Sequence, residues 1–240
     1  MKEVYEISRM ITPSLADVSG MLSIPDTFGL FMDIASEHAE HLGCGYDVMR
    51  AKGLFWLTVK TKLQIDERPR MGEIITLRTW PEKPGTFRCV RSYELLRNGK
   101  RLICGKTEWA VFDFKENRVT SSAGIFPQEL TFQNGTAYDE AFRRIPDDFS
   151  EIAPYASYTV RSTDIDVGHH MNNTSYIRAL AGSHSCDDWA QLPFRKIEVH
   201  FRTPCYEGEN ITFQCRKQQN AVTYRLANSE STLFLAWMEF

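Results

Sequence analysis

Two periodicities alternate along this chain, and the alternation occurs twice. Residues 5–11 read as a strand and residues 17–25 as a loop of small and polar residues. Phe28, Phe31, Met32, Ala35, Ala39 and Leu42 then recur at the i, i+3, i+4, i+7 spacing of one helical face. Asp26 is placed to cap that helix through its carboxylate, and Gly43 and Gly45 to end it. Runs rich in β-branched and aromatic residues at 54–65, 73–80, 87–97 and 101–113 predict four strands. Asn98-Gly99, between the last two, is the strongest short hairpin signal. From 120 to 154 the pattern weakens around Gly124, Pro127, Gly135, Pro146 and Pro154, as in a connector, with a short helix expected near Ala141. The second round has a strand at 155–161, a polar loop at 162–173 and a helix over about 174–189 that buries Tyr176, Ile177, Leu180 and Ala181. Strands over 197–202, 211–217, 222–226 and 232–240 close it.

Local resemblances support a duplication. Gly72-Glu73-Ile74-Ile75-Thr76-Leu77 matches Gly208-Glu209-Asn210-Ile211-Thr212-Phe213 at an offset of 136 (208 − 72). Trp109-Ala110-Val111-Phe112 aligns with Trp237-Met238-Glu239-Phe240, and Asp17 leads its loop much as Asp166 leads the later one. The expected class is α+β, with two tandem units, residues 1–120 and 155–240, joined by a connector at 121–154. Each unit is a bent antiparallel sheet wrapped around one long helix. Joining the two sheets side by side removes an exposed edge from each.

Composition sets outer bounds. At 240 residues the chain has room for one large or two small domains. Its 42% apolar residues suffice for a sizeable core. The net charge of −3 gives no electrostatic reason to expect nucleic acid as a partner. Six scattered cysteines, with no C-x-x-C pair, point to free thiols in a reducing compartment. The charged start Met1-Lys2-Glu3 does not suit a signal peptide, and no apolar run is long enough to span a membrane, so a cytoplasmic protein is expected.

The chemistry concentrates in Asp164-Ile165-Asp166-Val167-Gly168-His169-His170-Met171-Asn172-Asn173. This loop runs into a helix that starts near Asn172, where backbone N–H groups are unpaired and the helix dipole is positive. Such an end supports a carbonyl oxygen that gains negative charge during attack. A carboxylate and an imidazole beside it supply a base or nucleophile and a proton handler. Taken singly, each residue is as well explained by turn capping or solvation; the group together favours acyl transfer to water. An Asp-His-His metal site fits less well, because neighbouring histidines in an extended loop diverge and no H-E-x-x-H spacing appears. No metal or cofactor is expected. The absence of a G-x-S-x-G elbow removes the α/β-hydrolase route. Gly43-Cys44-Gly45 is not a dinucleotide fingerprint. Cys205 is expected to pack rather than to attack, and His38 and His41 to favour the first helix's C-terminal dipole.

Asp164-x-Asp166-x-x-x-His170-x-Asn172-Asn173, followed by Tyr176, resembles the D-x-D-x-x-x-H-x-N-N-x-x-Y pattern of the hotdog thioesterases. The wider chain is similar to one branch, the acyl-acyl carrier protein thioesterases of bacteria and plant plastids. The first-half landmarks are Leu54-Phe55-Trp56, Pro69-x-x-Gly72-Glu73-x-Ile75, Thr79-Trp80, Phe87-x-x-x-Arg91 and Trp109. The resemblance implies a double hotdog that hydrolyses fatty acyl thioesters of acyl carrier protein. Asp166 takes the catalytic aspartate's place, His170 the histidine's, and Asn172 and Asn173 the asparagine pair's. Plant members carry a further asparagine where this chain has Gly168, with His169 the nearest substitute. They carry glutamate and cysteine where this chain has Arg202 and Thr203. The first unit is assigned the acyl pocket, with Phe31, Trp56 and Trp80 as candidate lining. Arg68 with Arg70, or Arg143 with Arg144, are candidates for a basic rim that receives the acidic carrier. Coenzyme A as the carrier, a dehydratase and a non-catalytic acyl-binding protein are the alternatives, and a second copy of the chain is a further candidate partner.

Overall fold

The computed structural model describes residues 3–240. In chain order the elements are β1 (Tyr5–Met10), α1 (Ile24–His41), α2 (Tyr46–Ala51), β2 (Leu54–Ile65), β3 (Ile74–Pro81), β4 (Cys89–Arg97), β5 (Lys100–Asp113) and β6 (Arg118–Thr120). They continue with β7 (Ala156–Thr159), α3 (Asn173–Gly182), α4 (Cys186–Gln191), β8 (Lys196–Phe201), β9 (Asn210–Lys217), β10 (Ala221–Ala227) and β11 (Thr232–Glu239). All ladders are antiparallel and form one sheet in the order β1-β3-β4-β5-β2-β8-β11-β10-β9-β7, with β6 added to β5. The order reads the same from both ends when β1, β3, β4, β5 and β2 are matched with β7, β9, β10, β11 and β8. Two strand–helix–strands units are thus fused through β2 and β8.

The join is short. It runs from Lys60 opposite His200 to Gln64 opposite Lys196, with Lys62 facing Glu198 across its centre. Side-chain alternation along a strand sorts the residues onto two faces. Leu63, Ile65, Ile197 and Val199 point to the helices and join a core with Phe28, Phe31, Ile34, Ile177 and Leu180. Gly105 lies at the centre of this face. A Cβ there would come within 2.5 Å of Lys62 O and 3.0 Å of the Phe31 ring, so only glycine leaves room for Phe31 to stack on Tyr93.

Lys62, Lys106, Glu198 and His200 point to the opposite face, where the connector covers them. Lys62 Nζ lies 3.3 Å from Glu198 Oε2 and donates to Ala141 O. The Arg143 N–H donates to Glu198 Oε1, and the Arg143 guanidinium stacks on Trp237. The connector makes its own bonds this way without a helix, so residues near Ala141 are irregular rather than helical. Among the described residues no helix is long and apolar enough to cross a membrane.

Three local expectations change. The cap of α1 is Ser23, whose Oγ accepts from the Asp26 N–H while it donates to Asp26 Oδ2. Asp26 therefore sits inside the first turn of the helix rather than at its cap, and the Ser23 N–H is taken by Leu15 O. The second helix is not one long element. α3 stops at Gly182, and Ser185 opens α4 by accepting from the Asp188 N–H. The tryptophan strands also match differently. Lys62 and Glu198 are equivalent under the offset of 136, and their partners are Lys106 and Trp237. Trp237 therefore corresponds to Lys106, three residues short of Trp109.

Candidate active site

The loop before α3 is a small closed structure built from its own backbone. Ile165 and Met171 form an isolated bridge, the Asp166 N–H donates to His170 O, and the His169 N–H donates to Asp166 O. Asp164 secures the entry, since its Oδ2 accepts from the Arg161 N–H at 2.8 Å and from Tyr158 Oη at 2.7 Å. Asp164 is thus a strut. The Asp166 carboxylate is held on both oxygens: Oδ1 accepts from the Gly168 N–H at 2.7 Å, and Oδ2 from Asn172 Nδ2 at 3.3 Å. Asn172 has a second role as the cap of α3, because its Oδ1 accepts from the Thr174 N–H at 2.8 Å. One side chain thereby fixes the helix start relative to the carboxylate.

His170 Nδ1 stands 3.9 Å from Asp166 Oδ1 and 3.3 Å from Met171 O. Gly168 explains how the ring fits. A Cβ at 168 would lie 2.9 Å from His170 Nε2 and 3.0 Å from Asp166 Oδ1. The space that a side chain at 168 needs is filled by the imidazole itself. His169, expected as the nearest substitute for the plant asparagine, is placed apart from the pair. It is exposed, adopts φ 60°, and is absent from the cavity wall.

Asp166, His170, Asn172 and Asn173 all line one cavity of about 500 Å³. The remaining wall comes mainly from the first unit, including Met32, Ala35, Ala39, Trp56 and Trp109. The cavity exists because β2 and β8 part company. Beyond Lys60 and His200 the two strands no longer pair, and a register shift follows Thr58. Phe55, Trp56, Leu57, Thr58 and Val59 all reach the cavity, as consecutive residues of an open strand edge do. Of the three aromatic residues expected to line it, Trp56 does so. Phe31 is fully buried against Tyr93 in the core. Trp80 lies on the opposite face of β3, where its Nε1 donates to Gly135 O in the connector.

The candidate basic pairs lie elsewhere as well. Arg68 is bound to Asp17, and Arg143 and Arg144 line a separate recess. The cations on the cavity wall are Arg88, Arg91 and Arg202. Only strand pairing brings these distant positions to the loop; the landmark Phe87-x-x-x-Arg91 holds one of them without placing it on a cavity wall. Cys205 is buried behind the loop, where its thiol donates to Glu209 Oε2 at 3.2 Å. Burial and the neighbouring carboxylate push that thiol up to about 12, so it is not a thiolate near neutral pH. Among the described residues, no three His, Cys, Asp or Glu side chains converge as metal ligands.

The first unit carries a copy of this loop at an offset of 149 (166 − 17). Ala16 bridges Leu22, the Asp17 N–H donates to Met21 O, and the Ser19 N–H donates to Asp17 Oδ1. Gly20, at φ 71°, occupies the place of His169, and Ser23 caps α1 as Asn172 caps α3. The chemistry differs. Met21 stands where His170 does, and Arg68 pairs with the Asp17 carboxylate.

A family model described as the acyl-ACP thioesterase N-terminal domain matches residues 2–124, and the corresponding C-terminal domain model matches residues 150–233. A chloroplastic acyl-[acyl-carrier-protein] hydrolase of Cuphea viscosissima is 23% identical over 195 residues, covering 76% of this chain and 47% of that protein. A chloroplastic oleoyl-acyl carrier protein thioesterase of Arabidopsis thaliana is 22% identical over 224 residues, covering 86% of this chain and 59% of that protein. The chain thus spans about half the length of these curated relatives. Among solved structures, an acyl-ACP thioesterase from Bacteroides thetaiotaomicron superposes with a TM-score of 0.87 at 18% identity, covering 99% of this chain and 98% of its own. The 12:0-ACP thioesterase of Umbellularia californica gives 0.84 at 15% identity, covering 100% and 97%. At these identities the superpositions show a shared fold, two hotdog units in tandem.

Proposed function

Because the chain belongs to the acyl-ACP thioesterase family, we propose that it hydrolyses fatty acyl thioesters of acyl carrier protein to free fatty acid at the Asp166–His170 site. The observation that carries this reading is convergence. A held carboxylate, an imidazole and the start of a helix meet on one wall of a cavity whose other walls are mostly apolar. The acyl chain lies among the first unit's side chains, and the thioester carbonyl at the loop. Among the described residues the Asn173 N–H, at the first position of α3, has no protein acceptor. It supports the carbonyl oxygen as charge develops there.

Asp166 is oriented by Gly168 and Asn172 to act as base toward water or as nucleophile toward the carbonyl carbon. His170 handles the proton that moves to the leaving thiol. The two routes differ in one product. Under single turnover in heavy-oxygen water, label in the protein's carboxylate marks an acyl anhydride of Asp166 opened by water at the aspartyl carbon, and so direct attack; the base route places label in the fatty acid alone.

The rim supports a carrier protein as the partner. Arg88 and Arg202 are exposed cations on the cavity wall and suit an acidic protein partner. The test is kcat/KM for the same acyl chains on acyl carrier protein and on coenzyme A, with product analysis. Free fatty acid, released faster from the carrier protein, is expected. Equal or faster turnover of the coenzyme A thioesters would make coenzyme A the carrier. An enoyl product without free acid would replace hydrolysis by dehydration.

A further inference from the structure

The acyl cavity has a near end and a far end. α1 meets the start of α3 at Gly29, where a Cβ would lie 4.0 Å from Thr174. From there Met32, Ala35 and Ala39 line the cavity toward the C-terminal end of α1. Ala39 lies ten residues (39 − 29) beyond Gly29, roughly 15 Å at the helical rise. At that far end Ala39, Trp56 and Phe126 pack on a separate apolar cluster of Leu42, Cys44, Met49, Val111, Ile125 and Leu130. Phe126 belongs to the connector, and residues 125–149 lie between the two stretches that the family models match.

Phe126 lines the acyl cavity and also a second recess of about 410 Å³, whose wall includes Thr86, Gln128 and Phe132. Its ring is held between a residue of each. The centroid is 5.9 Å from that of Trp56 in the acyl cavity and 5.6 Å from that of Phe132 in the recess. Trp56 is itself fixed, because its Nε1 donates to Cys44 O at 2.9 Å. The backbone around Phe126 is anchored too. Ser122 Oγ donates to Gly85 O at 2.6 Å and the Ser122 N–H to Thr86 O, while Ile125 and Leu130 are buried. A saturated chain gains about fourfold in affinity for each methylene it buries. The gain ends where a fixed side chain blocks the path, because close-packed interiors yield little.

We infer that Phe126 is the partition that ends the acyl cavity, so that this connector side chain sets the longest acyl chain the protein accepts. Its removal joins the cavity to the outer recess. This rests on the acyl-thioester reading above. The experiment measures kcat/KM for saturated carrier-protein thioesters from octanoyl to octadecanoyl, each relative to octanoyl. Wild-type protein should show a length beyond which this ratio falls. In Phe126→Ala the next even-numbered chain past that length should gain about tenfold or more. Adding Thr86→Trp, which fills the recess from its outer wall, should remove that gain. Thr86→Trp alone should leave the wild-type profile in place. A thermal melt reports whether each variant folds.

A second measurement needs no variant and no turnover. Acyl-pantetheine amides cannot be hydrolysed, and calorimetry finds the longest chain that binds the wild type. The same amide with a photoreactive diazirine at its tip should label the tryptic peptide of residues 119–143, which contains Phe126. An unchanged length profile in folded Phe126→Ala, or a tip label confined to other peptides, would overturn the inference and leave the thioesterase reading standing. Labelling of this peptide with no hydrolysis of any thioester would uphold the partition and overturn the thioesterase reading instead.

Discussion

Gly168 and His170 share one volume, and this determines which substitutions the loop tolerates. In Gly168→Ala the new Cβ must displace the imidazole from the carboxylate. Misplacing a catalytic group by about 1 Å lowers turnover by about a hundredfold, so kcat for acyl thioesters should fall on that scale while the melting temperature changes little. His169 makes the opposite prediction. It holds a left-handed turn position that its counterpart in the first unit fills with Gly20. His169→Gly should keep hydrolysis and leave stability within about 0.5 kcal/mol; a large loss of kcat would return His169 to the mechanism. Iodoacetamide at neutral pH should modify exposed Cys186 and spare Cys205, whose thiol is buried and poorly acidic. Peptide mapping after alkylation reads this directly. Asp166, His170 and Asn172 were legible in the sequence because the loop that unites them is local. The place of Arg91 and Cys89 on the cavity wall was not, because only the pairing of β4 with β5 carries them there.

At the scale of elements, most strands were legible to within a residue or two, since alternation and turn residues are local signals. The bounds of β2 coincide with the apolar run at 54–65. The end of α3 was not, because apolar spacing continues past Gly182 and the stop comes from competing caps at Ser183 and Ser185. The connector escaped a local reading because it is held by side chains of the sheet it crosses. That attachment is the basis of a stability prediction. Lys62 and Glu198 are 2% and 1% exposed and face each other across the join between the units. Lys62→Met leaves Glu198 buried without its cation, which should cost about 3–5 kcal/mol. Adding Glu198→Gln to that variant should recover part of the loss in denaturant unfolding. Additive losses would show that the two side chains act independently.

For the whole molecule, the central feature is a duplication that has become unequal. Both units keep the loop geometry, but only the second keeps a histidine beside its aspartate. The cavity is unequal in the complementary sense. Carrying the loop offset of 149 along the helices sets Ala35, which lines the cavity, against His184. The His184 ring packs with Tyr155, Trp189 and Tyr224, and Trp189 packs with Phe194, so aromatic side chains fill the corresponding space. Trp189→Ala should therefore empty packed volume and destabilise the fold by about 3–5 kcal/mol. The duplication was visible in sequence through the Gly-Glu turns, whereas this division of labour was not, because a filled and an open helix–sheet interface are both apolar. Hydrolysis at this site rests most directly on Asp166. In Asp166→Asn the side chain keeps its size, and folding is checked by the thermal melt. Release of free fatty acid from acyl carrier protein thioesters is predicted to fall by about a thousandfold or more. Turnover at the wild-type rate by this folded variant would contradict it.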